Sequence, residues 1–178
     1  MINSKQIYTD ANNMVKKFGT RNAFAIAREI GIEVFSVDYF NSLLGMYVYR
    51  WRKRAIFYNN SMDDYLAQMV VAHEIGHDTY HRKLANSVGL KEFELFRMTN
   101  TIEYGANVFA AHLLLDTEML LDFAKNDYDV VQIPTLMGSE INFTLIKLQE
   151  MIKLGYSFNL PAEPNRNFFK NVKPNSNL

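Results

Sequence analysis

An α+β fold is the architecture this sequence predicts. Three observations carry it: apolar residues recur at helical spacing in five segments, three short β-branched and aromatic runs cluster between residues 32 and 58, and no internal repeat or low-complexity block interrupts them.

The elements follow in order. Ile7, Ala11, Met14, Val15 and Phe18 make one face of a helix over residues 4–18, and Gly19 stops it. Thr20 is placed to cap a second helix, 21–30, whose Phe24, Ala27 and Ile30 share a stripe that ends at Gly31. Residues 32–37, 44–49 and 55–58 read as strands, with the Arg50-Trp51-Arg52-Lys53-Arg54 segment as a hairpin connection. The strand at 55–58 is a candidate sheet edge for an extended partner, and fits equally well as plain core. Ser61, with Asp64 three residues on, marks the start of a helix reaching about residue 83. A polar connection over 84–100 leads to a helix from about 101 to 121, and another covers about 140–154. Residues 1–160 are expected to form one domain, and the Pro- and Asn-rich stretch 161–178 a poorly ordered tail.

Composition narrows the function. The 178 residues are 48% hydrophobic and 21% charged, the balance of a folded domain. A formal net charge of +0 supplies no global field toward polyanions, so direct nucleic-acid binding is not expected. With no cysteine, disulfides, thiolate metal sites and a cysteine nucleophile are excluded. No secretory leader is visible and no run of about 18 apolar residues occurs, so membrane insertion is not expected and a cytoplasmic location is the default.

The chemistry concentrates in Val70-Val71-Ala72-His73-Glu74-Ile75-Gly76-His77. Residues four apart on a helix lie nearly one above the other, so both imidazoles can reach one ion. Glu74, turned by about 100° from His73, does not compete for the ligand position and can take a proton from water. That is the logic of HExxH: two nitrogen ligands and an adjacent general base. Met69, Val70, Val71, Ala72 and Ile75 bury the helix, so its polar residues need a purpose. His81 continues the spacing, but on a continuous helix it lies about 12 Å along the axis from His73. It is expected beside the site rather than on the ion.

A hydrolytic site of this kind takes a third protein ligand. Glu103 is the candidate, with Asn107 four residues on to brace a histidine or Glu103 itself, and Gly105, Ala106, Ala110 and Ala111 small enough for close helix contact. Asn100 followed by Glu103 also fits a capping box, and spacing does not separate the two roles. Glu92, Glu94, Asp116 and Glu118 are weaker ligand candidates.

These residues carry a resemblance. His73-Glu74-Ile75-Gly76-His77 followed by His81, then Glu103-x-x-Ala106-Asn107-x-Phe109-Ala110-Ala111-x-Leu113-Leu114, resembles the ImmA/IrrE family of metallo-endopeptidases over roughly residues 20–155. The resemblance implies a zincin-like core in which a small antiparallel or mixed sheet packs on the active-site helix. It further implies His73, His77 and Glu103 as metal ligands and Glu74 as the catalytic base. The ion it implies is Zn²⁺, although two imidazoles and a carboxylate also accept Mn²⁺ or Fe²⁺. The chain is similar to the ImmA anti-repressor type, which implies cleavage of a helix-turn-helix repressor of a prophage or integrative element. Leu115-Asp116 stands where the family often has proline, and residues 133–154 resemble its helix-turn-helix-like end only loosely.

Other features have plainer readings. His112, on an apolar helical stretch, is expected to be a satisfied core histidine. Tyr80, Tyr104, His81 and His112 are conceivable donors to an oxyanion. The four cations and Trp51 at 50–54 suggest an acidic partner but are more often a solvated turn, and the aromatic runs and nine methionines read as packing. A second function class remains: a metal-containing protein that sequesters a repressor without cutting it, for which a base beside the metal has no use.

Overall fold

Short polar side chains that accept the spare N–H groups of a first turn set most of the helix starts. In the computed structural model, which describes residues 3–85, 89–92 and 101–158, Asn3 caps α1 (Ser4–Phe18), Asn22 caps α2 (Ala23–Glu29) and Asp63 caps α3 (Asp64–Tyr80). Thr20 and Ser61, expected as caps, sit too early: Thr20 accepts from the Asn22 N–H, and Ser61 donates to Asn59. The α3 helix also ends sooner than expected, at Tyr80, before a short 3₁₀ turn over Arg82–Ala85.

Strands β1 (Glu33–Val37), β2 (Gly45–Arg50), β3 (Lys53–Asn59) and β4 (Leu90–Glu92) form one sheet in the order β1-β3-β2-β4. β1 runs parallel to β3 with Phe35 opposite Phe57, whereas β2 is antiparallel to both β3 and β4. The sheet is therefore mixed and the class α+β, as the sequence predicts. Residues 55–58 do not form an edge, because β3 is flanked by β1 and β2. The edge β4 arises inside the stretch read as connection, being too short to show an alternating pattern.

The β2–β3 hairpin is tighter than the five-residue connection expected. The strands reach Arg50 and Lys53, leaving Trp51 and Arg52 as a two-residue turn with φ of 50° and 64°. Such mirror-image turns match the twist of paired strands, but they favour Asn and Gly. A left-handed backbone costs other residues roughly 1–2 kcal/mol each.

The helix expected over 101–121 is two helices, α4 (Thr101–Leu114) and α5 (Thr117–Lys125), followed by α6 (Gln132–Leu136) and α7 (Ile141–Lys153). The break is built from polar groups. Asp116 accepts from the Met119 N–H to cap α5, while Arg21 donates to the last-turn carbonyls of His112 and Leu113 and pairs with Asp116 at 2.8 Å. A capping carboxylate held by a guanidinium outcompetes helix continuation here.

Helix α3 packs against α2, α4 and strands β2 and β3. Its Met69, Val70, Val71, Ala72 and Ile75 are buried with Phe109, Ala110 and Leu113 of α4 in the main core. A smaller cluster, Leu120, Ile133, Leu145, Leu148 and Met151, joins α5, α6 and α7. Among the described residues no helix is long and apolar enough to cross a membrane. The stretch 161–178 lies outside the described residues.

Two core residues break the apolar rule. His112 is fully buried edge-on to Tyr8, with 5.1 Å between ring centroids, and neither ring nitrogen has a hydrogen-bond partner among the described residues. It occupies the core as expected, but not satisfied. Lys147, also fully buried, donates to Thr117 at 2.9 Å and lies over the Tyr8 ring. Burial, reinforced by Arg21, pushes the Lys147 ammonium down to about 7.

A folded-state value below that of an unfolded lysine means the unfolded chain holds the extra proton from about pH 7 to beyond pH 9.5. Stability contributed by this group therefore rises with pH across that window. Lys147→Met is expected to flatten the rise and to add about 1–3 kcal/mol at neutral pH. Urea denaturation at pH 7, 8 and 9 measures both; an unchanged slope contradicts the assignment.

Candidate metal centre

A shared ion requires two helices closer together than bulky side chains allow, and the sequence supplies the room. A Cβ added to Gly76 of α3 would lie 3.0 Å from the Ala106 Cα and 3.2 Å from its carbonyl oxygen. Glycine there lets the α4 backbone rest on α3, and Glu103, just under one turn before Ala106, then reaches over His73 and His77. The small residues expected on α4 are thus half of the contact; Gly76 on α3 is the other half.

The ligand atoms converge. Glu103 Oε2 is 3.3 Å from Nε2 of both His73 and His77, and the two Nε2 atoms are 2.9 Å apart. Ligands about 2.0–2.1 Å from a tetrahedral ion lie about 3.3–3.4 Å from one another, so the Glu103–His distances fit a zinc-sized cation. The His–His spacing corresponds to an angle narrowed to about 90°. Asn107 Oδ1 lies 2.9 Å from His73 Nδ1. With the amide oxygen as acceptor, Nδ1 carries the proton and Nε2 turns a lone pair inward. Burial is the main cause lowering the His77 pKa, which favours the neutral, ligating form. His73, His77 and Glu103 are a group that could hold a metal ion. The capping alternative for Glu103 depends on Asn100, which lies outside the described residues.

Glu74 is fully buried, facing β2. A Cβ on Gly45 would come within 2.9 Å of Glu74 Oε1, so glycine lets the strand backbone lie against this carboxylate. His81 caps the C-terminus of α3, with its Nδ1 3.0 Å from His77 Nδ1. It stands beside the ligand group and outside it, as expected. Burial and then the neighbouring His77 push His81 down to about 4.

The remaining candidates scatter. Tyr80 donates to Asp10 at 2.9 Å and Tyr104 to Glu150 at 2.5 Å, so both hydroxyls are committed away from the ligands. His112 lies under Tyr8, Asp116 caps α5, and Glu118 sits in the first turn of α5. Glu94 and the Glu92 side chain lie outside the described residues. One cluster has no sequence signal at all. Asp78, next to His77 and buried, accepts from Tyr47 at 2.5 Å and Arg54 at 3.1 Å and pairs with Arg82 at 2.8 Å. It ties β2, β3 and the 3₁₀ turn to the end of α3, and only the fold brings those residues together.

Residues 27–149 match the family described as IrrE N-terminal-like domain, Peptidase_M78. The chain belongs to this family. The Peptidase_M78 match takes in the four described strands and both helices that carry the candidate ligands, α3 and α4. The chain is also similar to "Uncharacterized immunity region protein 2" of Bacillus phage phi105, 29% identical over 125 residues that cover 70% of this chain and 78% of the relative.

Two variants test the construction. Asn107→Ala is expected to weaken zinc affinity about 10–100-fold by freeing the His73 ring, measured by competition with a chromophoric chelator. Gly76→Ala should force α4 away from α3, lowering affinity further while far-ultraviolet circular dichroism stays helical. Wild-type affinity in both would mean that the helix contact does not set the site.

Proposed function

We propose that this Peptidase_M78 chain is a zinc-dependent endopeptidase whose metal is held by His73, His77 and Glu103, with Glu74 as general base. The observation that carries the reading is the convergence of those three donor atoms at 3.3 Å or less, with Glu74, next to His73 on α3, as a fully buried carboxylate. A site with three protein ligands leaves a coordination position for water, which distinguishes hydrolytic from structural zinc.

A divalent ion at this place supplies Lewis acidity, making water a nucleophile near neutral pH and polarising a peptide carbonyl. The chain's own residues do the rest. Glu74 accepts the proton of the attacking water and returns it to the leaving amine, first as base and then as acid. Asn107 keeps the His73 ring oriented, and Gly45 holds the β2 backbone against the Glu74 carboxylate. His81 is the oxyanion-donor candidate whose ring remains beside the ligand group.

The substrate we propose is a helix-turn-helix repressor of a prophage or integrative element. The likeness to ImmA anti-repressors and the name of the phage relative, an immunity region protein, support that choice. Sequestration without cleavage leaves the Glu74 carboxylate without a role.

Glu74→Gln is expected to retain zinc and helicity while cleavage of a candidate repressor encoded beside the gene falls by about 10²–10⁴ or more. Electrophoresis of the repressor after incubation, with metal analysis of the same sample, reads both. Cleavage at the wild-type rate would refute the mechanism.

A further inference from the structure

The tip of the β2–β3 hairpin has a composition that its structural role does not require. Among the described residues β4 pairs with β2 over Gly45–Tyr47, and β1 meets β3 from Ala55 onward. Beyond those registers the hairpin continues as a two-stranded ribbon whose Tyr49 and Arg54 still pack on the 3₁₀ turn and α3, which leaves residues 50–53 as its exposed end. At its end Trp51 is 81% exposed, and the Arg50 guanidinium stands 4.4 Å from the indole centroid. Arg52 and Lys53 are exposed as well, whereas Arg54 turns inward to Asp78 and the Ile30 carbonyl. No carboxylate occurs in the sequence between Asp38 and Asp63, so the tip contains no counter-charge of its own.

A turn needed only to reverse the chain would be better made with Asn-Gly. Trp51 and Arg52 instead hold left-handed backbone at φ 50° and 64°, and the chain's one tryptophan is left in solvent. Strain retained under an exposed aromatic–guanidinium pair is the signature of a contact made with something else.

We infer that this hairpin tip is an exosite that captures an acidic segment of the protein substrate. The inference rests on the proposed function in taking that substrate to be a protein. Charge complementarity selects the acidic partner, and magnitude selects protein over nucleic acid. Three exposed cations can neutralise about three phosphates, below the roughly six to ten contacts of strong DNA binders. A single indole cannot stack successive bases. One tryptophan flanked by guanidiniums is sufficient as an anchor in a protein interface. Position agrees: β2 begins with Gly45 against Glu74 and rises about 17 Å to Arg50, within reach of a substrate seated at the metal.

The test uses zinc-loaded Glu74→Gln protein, which binds without cutting, so that recruitment is measured apart from catalysis. The probe is a fluorescein-labelled decapeptide of Glu and Ala with one central Leu, read by anisotropy. The expected result is saturable binding that shifts Trp51 emission to the blue. Arg50→Gln combined with Lys53→Gln should weaken binding at least tenfold. Trp51→Asn combined with Arg52→Gly should weaken it equally while raising the melting temperature, since that pair relieves the turn. Peptide binding that survives either double variant overturns the inference. So does tighter binding of a twelve-base-pair DNA duplex than of the peptide, which would assign the tip to nucleic acid. None of these outcomes alters the cleavage test of Glu74→Gln.

Discussion

The candidate metal group depends on the backbone contact between Gly76 of α3 and Ala106 of α4. Packed helices ordinarily lie 8–10 Å apart, at a distance set by the side chains between them. A metal centre built from both needs donor atoms within about 3.4 Å of one another. Removing side-chain bulk at the crossing satisfies both requirements, because a Cβ at Gly76 would meet Ala106 at 3.0 Å. Glu103 and Asn107, on the same helix as Ala106, then arrive together, one facing the imidazole nitrogens and the other bracing His73. The same crossing buries Val70, Ile75 and Phe109. The crossing that buries the core thus also brings the candidate ligands together.

The sheet contributes a second constraint. Strand β2 lies on α3 at two points, Gly45 against Glu74 and Tyr47 against Asp78. Asp78 also accepts from Arg54 and Arg82, so a single buried carboxylate joins β2, β3, the 3₁₀ turn and the end of α3. Breaking one partner of such a network leaves buried charge uncompensated. Glu74 is consequently held by a strand whose own position is pinned four residues further along the helix. The tolerance for polar burial extends to His112 and Lys147, which are held in the far part of the core with few partners.

Legibility of the sequence varied with the length scale of the cause. HExxH acts within a single helix, so spacing alone put His73 and His77 on one face. Spacing left Glu103 between ligand and cap, and only the family resemblance favoured the ligand. The stripes of α1 and α2 were likewise local. Other features depend on partners distant in sequence. The end of α4 is decided by Arg21, about ninety residues away, which binds its last carbonyls and the Asp116 cap. The strand β4 exists because β2 offers it an edge, and three residues carry too little pattern to announce that. The interior position of β3 follows from β1 pairing in parallel after a helical entry, a topological choice that strand propensity does not encode.

The amino-acid order by itself determined the kind of chemistry available: two imidazoles about one turn apart with a carboxylate between them on a buried helix, a second helix with Glu103 and small residues, and no cysteine to offer another route. Those are consequences of helical period and side-chain type, which are local. Tertiary structure alone decided that Glu103 faces the histidines, that Tyr80 and Tyr104 are committed elsewhere, and that Asp78 anchors the sheet. Each of those depends on distances across the core, and a distance between two elements is fixed by how every intervening side chain packs, not by where either residue stands along the chain.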